Sequence, residues 1–397
     1  MKHDMRSDQS PLAVFLIFLR LGLTSFGGPI AHLGYFRHEF VARRKWISDQ
    51  HYSDLVALCQ FLPGPASSQV GIALGLSRAG YAGALAAWAG FTLPSAILLI
   101  LFALGLSGSG GIVPSGALHG LKVVAVAVVA QAVWGMARTL CPDATRVTIM
   151  ATAACVLLLF PAAGSQLAVI GAAALAGLYV CKPAAGEKSE ALTVSPGLRS
   201  GAVWLVLFVI LLAGLPLLAA FCPHPALAMV NAFYRTGSLV FGGGHVVLPL
   251  LQADVVPNGW VSNDTFLAGY GAAQAVPGPL FTFAAFLGAS MNPSPSGWEG
   301  GLLCLLAIFA PSFLLVAGAL PFWERVKGNV RMRAALAGIN AAVVGLLLAA
   351  LYNPVWTSAI HTPQDVCVAL VALVALIFWK LPPWLVVVCC GVAGALM

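Results

Sequence analysis

The chain of 397 residues is 60% hydrophobic and only 8% charged, whereas a soluble domain carries about 25% charged residues. This composition excludes a soluble globular domain, because most of the surface must face something other than water. The formal net charge of +7 does not indicate a nucleic-acid partner, because the basic residues are scattered over short loops.

Apolar segments follow one another along the whole chain, and many are long enough to cross a bilayer core of roughly 30 Å as helices. We therefore predict an all-α polytopic membrane protein. The segments cover 12–35, 52–77, 82–106, 118–137, 147–161, 165–181, 201–221, 226–251, 265–290, 299–320, 334–352, 365–379 and 382–397.

An internal repeat divides the chain into two related halves. The first copy reads Phe18-Leu19-Arg20-Leu21-Gly22 and then Phe26-Gly27-Gly28. The second copy lies 215 residues later and reads Phe233-Tyr234-Arg235-Thr236-Gly237 and then Phe241-Gly242-Gly243. Further matches in the same order pair Gln60-Phe61-Leu62-Pro63-Gly64-Pro65 with Gln274-Ala275-Val276-Pro277-Gly278-Pro279, Pro94-Ser95 with Pro311-Ser312, and Gly120 with Gly338.

The repeat fixes the predicted domain organisation. The first repeat covers residues 1–181, and a polar linker over 182–199 is expected in the cytoplasm. A connecting transmembrane helix over 200–225 follows, and the second repeat covers 226–397.

Basic residues in short loops indicate the cytoplasmic side of the membrane. Loop 36–51 holds four basic residues, whereas its counterpart 252–264 holds none but has Asp254 and Asp264. We predict that the first two segments of each repeat are re-entrant pairs and that the other nine cross fully. The N-terminus is then cytoplasmic and the second repeat is inverted. A plain topology of thirteen spans would place both loops on the opposite sides, although the repeats would still be inverted.

Glycine and proline interrupt four segments in matched pairs, at 27–29 and 242–244 and at 63–65 and 277–279. Inverted repeats with broken helices are typical of secondary transporters, whose sites lie where half-helix ends meet near mid-membrane. A half-helix that begins after a break presents free N–H groups and a positive dipole end, which together bind anions. The alternative is that the breaks only kink the helices for packing.

Arg20 and Arg235 occupy equivalent positions, six residues before each Phe-Gly-Gly break. Arginine stays charged in proteins and binds oxyanions with two parallel hydrogen bonds. We predict that the pair contacts a tetrahedral oxyanion; the alternative is that both side chains extend to the headgroups or cap backbone carbonyls. The remaining predicted substrate-binding residues are Gly27, Gly28, Gly242, Gly243, Gln60, Gly64, Gln274, Gly278, Lys122 and the Lys122 counterpart Asn340.

Carboxylates are scarce in the predicted spans, and a cation transporter normally needs them. Three basic residues inside apolar segments therefore favour an anionic substrate, although charge alone does not identify the anion. The nine cysteines show no metal-ligand spacing and the chain has no nucleotide-binding motif, so we expect neither a cofactor nor a metal, and no catalytic residue.

The motifs resemble those of the chromate ion transporter family in its long, two-domain form. Those that carry the resemblance are Phe18-Leu19-Arg20-Leu21-Gly22, Ser25-Phe26-Gly27-Gly28-Pro29, Gln60-Phe61-Leu62-Pro63-Gly64-Pro65, Phe241-Gly242-Gly243-Gly244-His245, Gln274-Ala275-Val276-Pro277-Gly278-Pro279 and Gly338-Ile339-Asn340-Ala341-Ala342-Val343-Val344-Gly345. The resemblance implies export of chromate across the bacterial inner membrane and thereby chromate resistance.

Alternative functions remain open at this point. The nearest keeps the architecture and transports sulfate or another oxyanion, and a more distant one is a lipid-phosphate flippase. We do not expect an enzyme. Membrane lipids are the expected surroundings, and the sequence leaves open whether the chain forms a homodimer.

Overall fold

The computed structural model describes residues 10–107, 114–161, 164–181, 197–292, 294–323 and 329–396. Within these ranges the chain forms helices and turns and no strand, so the prediction of an all-α protein is confirmed. Most of the predicted cytoplasmic linker, residues 182–196, lies outside the described residues.

The first half contains seven helices in the described ranges. They are α1 (Pro11–Thr24), α2 (Gly28–Phe36), which continues into a π-helical turn (Arg37–Arg43), α3 (Asp49–Phe61), α4 (Ala66–Ser107), α5 (Ser115–Leu140), α6 (Ala144–Leu159) and α7 (Ser165–Val180). Helix α8 (Leu198–Phe221) connects the halves.

The second half repeats this order. Its helices are α9 (Pro225–Leu239), α10 (Val247–Val255), α11 (Asn263–Ala273), α12 (Phe283–Ser290), α13 (Gly297–Ala319), α14 (Val330–Ala350), α15 (Pro363–Ile377) and α16 (Pro383–Leu396). Short 3-10 turns, Gly244–Val246 and Leu280–Thr282, lead directly into α10 and α12. Helix α4 corresponds to α12 and α13 together, because it is interrupted by non-helical residues at Ala79 and Gly80.

The first segment of each repeat is divided into two short helices, α1 and α2 in the first half and α9 and α10 in the second. Helix α1 has 14 residues, about 21 Å at 1.5 Å per residue, which is less than a bilayer core of roughly 30 Å. The two parts of α4 approach closely, since a Cβ built on Gly75 would lie 2.3 Å from the Gly83 carbonyl oxygen. Gly288 of α12 meets Gly300 of α13 in the same way, at 2.1 Å. Both close contacts join the second and third predicted segments of a repeat, and the re-entrant arrangement of the first two segments stays a prediction.

In the part of the chain that the structure describes, five helices are long and apolar enough to cross a membrane, within Ala66–Leu106, Gly116–Leu140, Leu198–Phe221, Gly297–Phe322 and Val330–Ala359. The chain is therefore a multi-pass membrane protein. Helices α6, α7, α15 and α16 have only 14 to 16 residues, fewer than the roughly 20 that a full crossing takes. The count of nine full spans stays a prediction.

The periphery of the molecule is apolar, as lipid contact requires. Helix α8 packs on α9 and α13, and Gly201 is its one fully buried residue. Its other faces expose large side chains, including Val203, Ile210 and Phe221.

The two halves exchange their C-terminal helices. Helix α5 of the first half packs against α15 and α16 of the second, and α14 of the second half packs against α6 and α7 of the first. The equivalent glycines make both contacts: a Cβ on Gly120 would lie 2.1 Å from the Cys390 carbonyl oxygen, and one on Gly338 would lie 2.1 Å from that of Ala173. Each half therefore completes the other, and the two fold as one unit.

We expect Gly338→Leu to lower the melting temperature of the purified protein in detergent, because a side chain there collides with the α7 backbone. Overpacking of this kind costs about 1–3 kcal/mol. The control is Gly135→Leu, at an exposed position of α5 where a Cβ would meet nothing within 4 Å. Equal melting temperatures for both variants would show that the α7–α14 contact is not as close as described.

Candidate substrate site at the four helix breaks

The four breaks meet between the two halves of the molecule. The Gly64 N–H donates to the Val240 carbonyl at 2.7 Å, and the Gly278 N–H donates to the Ser25 carbonyl at 2.9 Å. Each Pro-Gly-Pro break is thus bonded to the residue that precedes the Phe-Gly-Gly break of the other half. Gly244 also approaches the first break, since its Cβ would lie 3.6 Å from Pro29 Cγ.

Glycine is required at these breaks by the backbone conformation. Gly64 has φ 121° and Gly278 has φ 99°, values that residues with a Cβ rarely adopt. The equivalent pair Gly27 and Gly242 have φ 103° and 76°. Glycine is required at Gly22 for a different reason, the close approach of two helices. A Cβ there would lie 2.7 Å from the Gly90 carbonyl oxygen.

Four helical segments begin at the breaks and point their N-termini toward this region. Helix α2 begins at Gly28 and α4 at Ala66, and the 3-10 turns that lead into α10 and α12 begin at Gly244 and Leu280. The first N–H groups of a helix have no partner within it, and its N-terminus carries a partial positive charge. The junction is therefore suited to an anion.

Two equivalent serines approach the breaks from the opposite half. A Cβ on Gly278 would lie 2.4 Å from Ser95 Oγ, and one on Gly64 would lie 2.9 Å from Ser312 Oγ. Both serine side chains are fully buried. The sequence carried a signal for them, because Pro94-Ser95 matches Pro311-Ser312 in the repeat, but we did not predict them as site residues.

Buried polar atoms without hydrogen-bond partners concentrate around the junction. Among the described residues they include Ser25 Oγ, Ser68 Oγ, Gln69 Oε1, Thr92 Oγ1, Gln274 Nε2, Ser312 Oγ and Asn340 Oδ1. Buried polar groups are normally paired, and each unpaired group costs about 1–3 kcal/mol. A substrate with several hydrogen-bonding oxygens would satisfy the hydroxyls and the Gln274 amide.

The structure brings several predicted site residues to the junction and leaves others apart. Asn340 Oδ1 would lie 3.4 Å from a Cβ on Gly242, and the Gln274 amide nitrogen is buried beside its break. The Gln274 counterpart Gln60 is exposed. Lys122 pairs with Asp264 at 3.0 Å, whereas its counterpart Asn340 faces the break.

The two Phe-Gly-Gly breaks differ in how they are covered. Met136 and Leu140 of α5 lie over Gly242, 3.5 Å and 3.1 Å from the position of a Cβ. At Gly28 a Cβ would meet nothing within 4 Å, and Gly27 is exposed. Helix α5 therefore covers the second break, whereas a Cβ on Gly27 would meet only Ala31 of its own half, at 3.1 Å.

The two predicted arginines also differ. Arg235 forms an ion pair with Asp254. Arg20 is exposed, and it has no ion pair with any residue that the structure describes.

Glu39 lies 215 residues before Asp254, the offset of the repeat, but it pairs with Arg44 at 2.6 Å and Arg43 at 3.0 Å. Burial raises the pKa of Glu39, and the hydrogen bonds from Arg44 and Arg43 outweigh it, so this pKa lies below its usual range.

A cavity of about 630 Å³ lies between α9 and α10, the helices on either side of the second Phe-Gly-Gly break, and none of the break residues 241–244 lines it. Its lining runs along α9 from Arg235 to Leu239 and continues onto α10 at Asp254. The loop between α6 and α7 and the end of α14 close its other sides. Within the described ranges, no group of three His, Cys, Asp or Glu side chains is placed to hold a metal ion.

Comparison with known proteins matches this architecture to one family. The chromate transporter family model matches residues 12–178 and 227–395, which are the two repeats. A chromate transport protein of Pseudomonas aeruginosa is 28% identical over 411 residues, covering 97% of this chain and 92% of that protein. A probable chromate transport protein of Synechococcus elongatus is 26% identical over 392 residues, covering 96% of this chain and 93% of that protein.

A shorter relative corresponds to a single repeat. An uncharacterized transporter of Bacillus subtilis is 29% identical over 170 residues, covering 42% of this chain but 93% of that protein. No solved structure matches the chain.

Proposed function

The chain belongs to the chromate transporter family, and from that premise we propose that it exports chromate from the bacterial cytoplasm across the inner membrane through the junction of the four breaks. Export in this direction would confer chromate resistance. The observation that carries the proposal is the pair of cross-half hydrogen bonds, Gly64 to Val240 and Gly278 to Ser25, which holds four helix N-termini around one region.

The chemistry of the junction supports an oxyanion as the substrate. Chromate is a tetrahedral dianion at neutral pH, and its four oxygens accept hydrogen bonds. Backbone N–H groups, the Ser312 hydroxyl and the Gln274 amide are donors. The Ser95 hydroxyl donates to the Thr92 carbonyl at 3.4 Å and would turn from it to reach the anion. We infer that the break glycines form the site, because only a residue without a side chain lets the anion reach the backbone.

The charge pattern of the loops carries the proposed orientation, with the N-terminus in the cytoplasm and the second repeat inverted. Contacts between loops support the grouping of these loops on two sides of the membrane. Arg78 lies over the Trp46 ring at 5.2 Å, and both belong to loops that the charge pattern places inside. Lys122 pairs with Asp264 and His119 with Asp365, and all four belong to regions placed outside. In these pairs, partners from distant parts of the chain fall on the same predicted side.

The membrane potential supplies a driving force for export. An interior-negative potential favours expulsion of an anion by about 2.3 kcal/mol per charge per 100 mV. A dianion gains twice this amount, so export does not require a coupled proton on energetic grounds. We interpret the unequal covering of the two breaks as one state of an alternating-access cycle, in which the two halves exchange these roles.

The test is chromate uptake into inverted membrane vesicles with an imposed lumen-positive potential, with and without excess sulfate. We expect saturable, potential-dependent accumulation that sulfate barely inhibits, and none in vesicles that lack the protein. Complete suppression by sulfate would reassign the substrate to sulfate or a related oxyanion. Absence of accumulation, together with lipid-dependent activity after reconstitution, would support a lipid-phosphate flippase instead.

A further inference from the structure

The cavity between α9 and α10 contains one opposed pair of charges. Among the described residues that line it, Arg235 and Asp254 are the ionisable ones, and they are bonded to each other. The Asp254 side chain is 17% exposed and that of Arg235 is 36% exposed. Both side chains therefore reach the cavity, and a ligand that enters can contact either of them.

Three other polar side chains of the lining, those of Gln252, Asn263 and Gln166, are engaged elsewhere. Gln252 Nε2 donates to Asn263 Oδ1 at 2.7 Å, and Asn263 Nδ2 donates to Ser358 Oγ at 2.6 Å. Gln166 Nε2 donates to the Pro249 carbonyl at 3.2 Å. The Arg235 guanidinium is therefore the strongest group for an anion in this cavity, and Asp254 already occupies it.

The first half has no equivalent arrangement. Glu39 corresponds to Asp254 by the repeat offset, but its carboxylate is bonded to Arg43 and Arg44. Arg20 corresponds to Arg235 and is exposed. Among the described residues, a carboxylate is bonded to the repeat-equivalent arginine in the second half and not in the first, and the second half is the one whose Phe-Gly-Gly break α5 covers.

Resting on the proposed function, we propose that this cavity is the release site for the exported oxyanion and that Asp254 is a tethered competitor for Arg235. The described residues that line it at 161, 164–167, 249–257 and 353–354 belong to or adjoin loops on the predicted external side. An oxyanion that arrives from the junction binds Arg235 only by displacing Asp254. Because the carboxylate is part of the same chain, it returns to Arg235 at a high effective concentration and displaces the oxyanion outward.

The same competition excludes anions that approach from outside. An external sulfate or chromate ion must also displace Asp254 before it can bind Arg235. Removal of the carboxylate charge should therefore raise the affinity of the external side for oxyanions. This effect concerns the release step and leaves the choice of substrate at the junction unchanged.

The experiment compares Asp254→Asn with wild type in inverted vesicles, whose lumen corresponds to the outside of the cell. Chromate uptake is measured with increasing sulfate loaded in the lumen. We expect Asp254→Asn to be half-inhibited at a luminal sulfate concentration about tenfold lower than wild type, a typical effect for loss of one charged competitor. Glu39→Gln, at the matched position of the first half, should respond like wild type.

A binding measurement separates this inference from the export function. Sulfate is titrated into the purified full chain in detergent, and the melting temperature is followed for wild type, Asp254→Asn, Asp254→Ala and the double variant with Arg235→Gln. We expect stabilisation at about tenfold lower sulfate for either single variant and no such gain for the double variant. Identical titrations for all four proteins would overturn the inference, even if chromate export is observed; a shift without any export would support it and contradict the proposed function.

Discussion

Gly278→Ala is expected to reduce chromate transport at least tenfold while the protein still inserts in the membrane. The new Cβ would lie 2.4 Å from Ser95 Oγ and 3.1 Å from the Phe91 carbonyl oxygen. The backbone would also be strained, because φ is 99° and such conformations cost a residue with a Cβ about 1–3 kcal/mol. If the backbone moves to relieve the collision and the strain, the Gly278 N–H is displaced from the Ser25 carbonyl and the junction opens.

Gly64→Ala should have the same effect for the equivalent reason, since its Cβ would lie 2.6 Å from Gln69 Nε2 and 2.9 Å from Ser312 Oγ. The matched control is Gly105→Ala in α4, where a Cβ would meet nothing within 4 Å. Initial rates of chromate uptake into inverted vesicles, normalised to the amount of inserted protein, provide the measurement. Wild-type rates for both break variants would mean that the junction does not form the transport path.

Arg20→Gln and Arg235→Gln are each expected to abolish chromate transport without loss of membrane insertion. Arginine inside an apolar segment costs at least about 2.5 kcal/mol, and the guanidinium offers a dianion two parallel hydrogen bonds that glutamine does not. Arg20→Lys and Arg235→Lys keep the charge without this geometry, so they should retain a fraction of the activity.

The two arginines should differ in one respect, because Arg235 is paired with Asp254. Arg235→Gln leaves that carboxylate buried without a partner, so this variant should also melt at a lower temperature than Arg20→Gln. Normal chromate efflux by both glutamine variants would rule out a role for the arginines in binding the anion, and would favour their contact with headgroups.

Local sequence signals were sufficient to locate the breaks. Glycine and proline act on the backbone of their own and adjacent residues, so Gly27-Gly28-Pro29 and Pro63-Gly64-Pro65 could be recognised without knowledge of the fold. The breaks lie where helices end and begin in the structure. The assignment to membrane proteins could likewise be made from composition and segment length without knowledge of the fold.

Contacts between distant parts of the chain were not accessible in this way. Nothing in a helical periodicity shows that α5 packs on α16 while α14 packs on α7, because exchanged and unexchanged arrangements bury similar faces. The Arg235–Asp254 pair was missed although both residues had been noted separately. The repeat offered no guide there, since Glu39 at the equivalent position binds other arginines.

Lys122 shows how a partner changes the interpretation of a residue. In sequence it is a cation near the start of an apolar segment, and we predicted a substrate contact with extension to the surface as the alternative. In the structure it pairs with the exposed Asp264, which belongs to the other half. Its part in substrate binding stays a prediction, as do those of Gln60 and Asn340.

The most direct test of the central claim is to locate chromate in the protein by the anomalous scattering of chromium in crystals of the full chain. We predict a peak at the junction of the four breaks, within hydrogen-bonding distance of backbone N–H groups at Gly27, Gly28, Gly242 or Gly243 and of Ser95 or Ser312. The peak should be lost in Gly278→Ala. A peak confined to a surface remote from the breaks, and unchanged in that variant, would contradict the account.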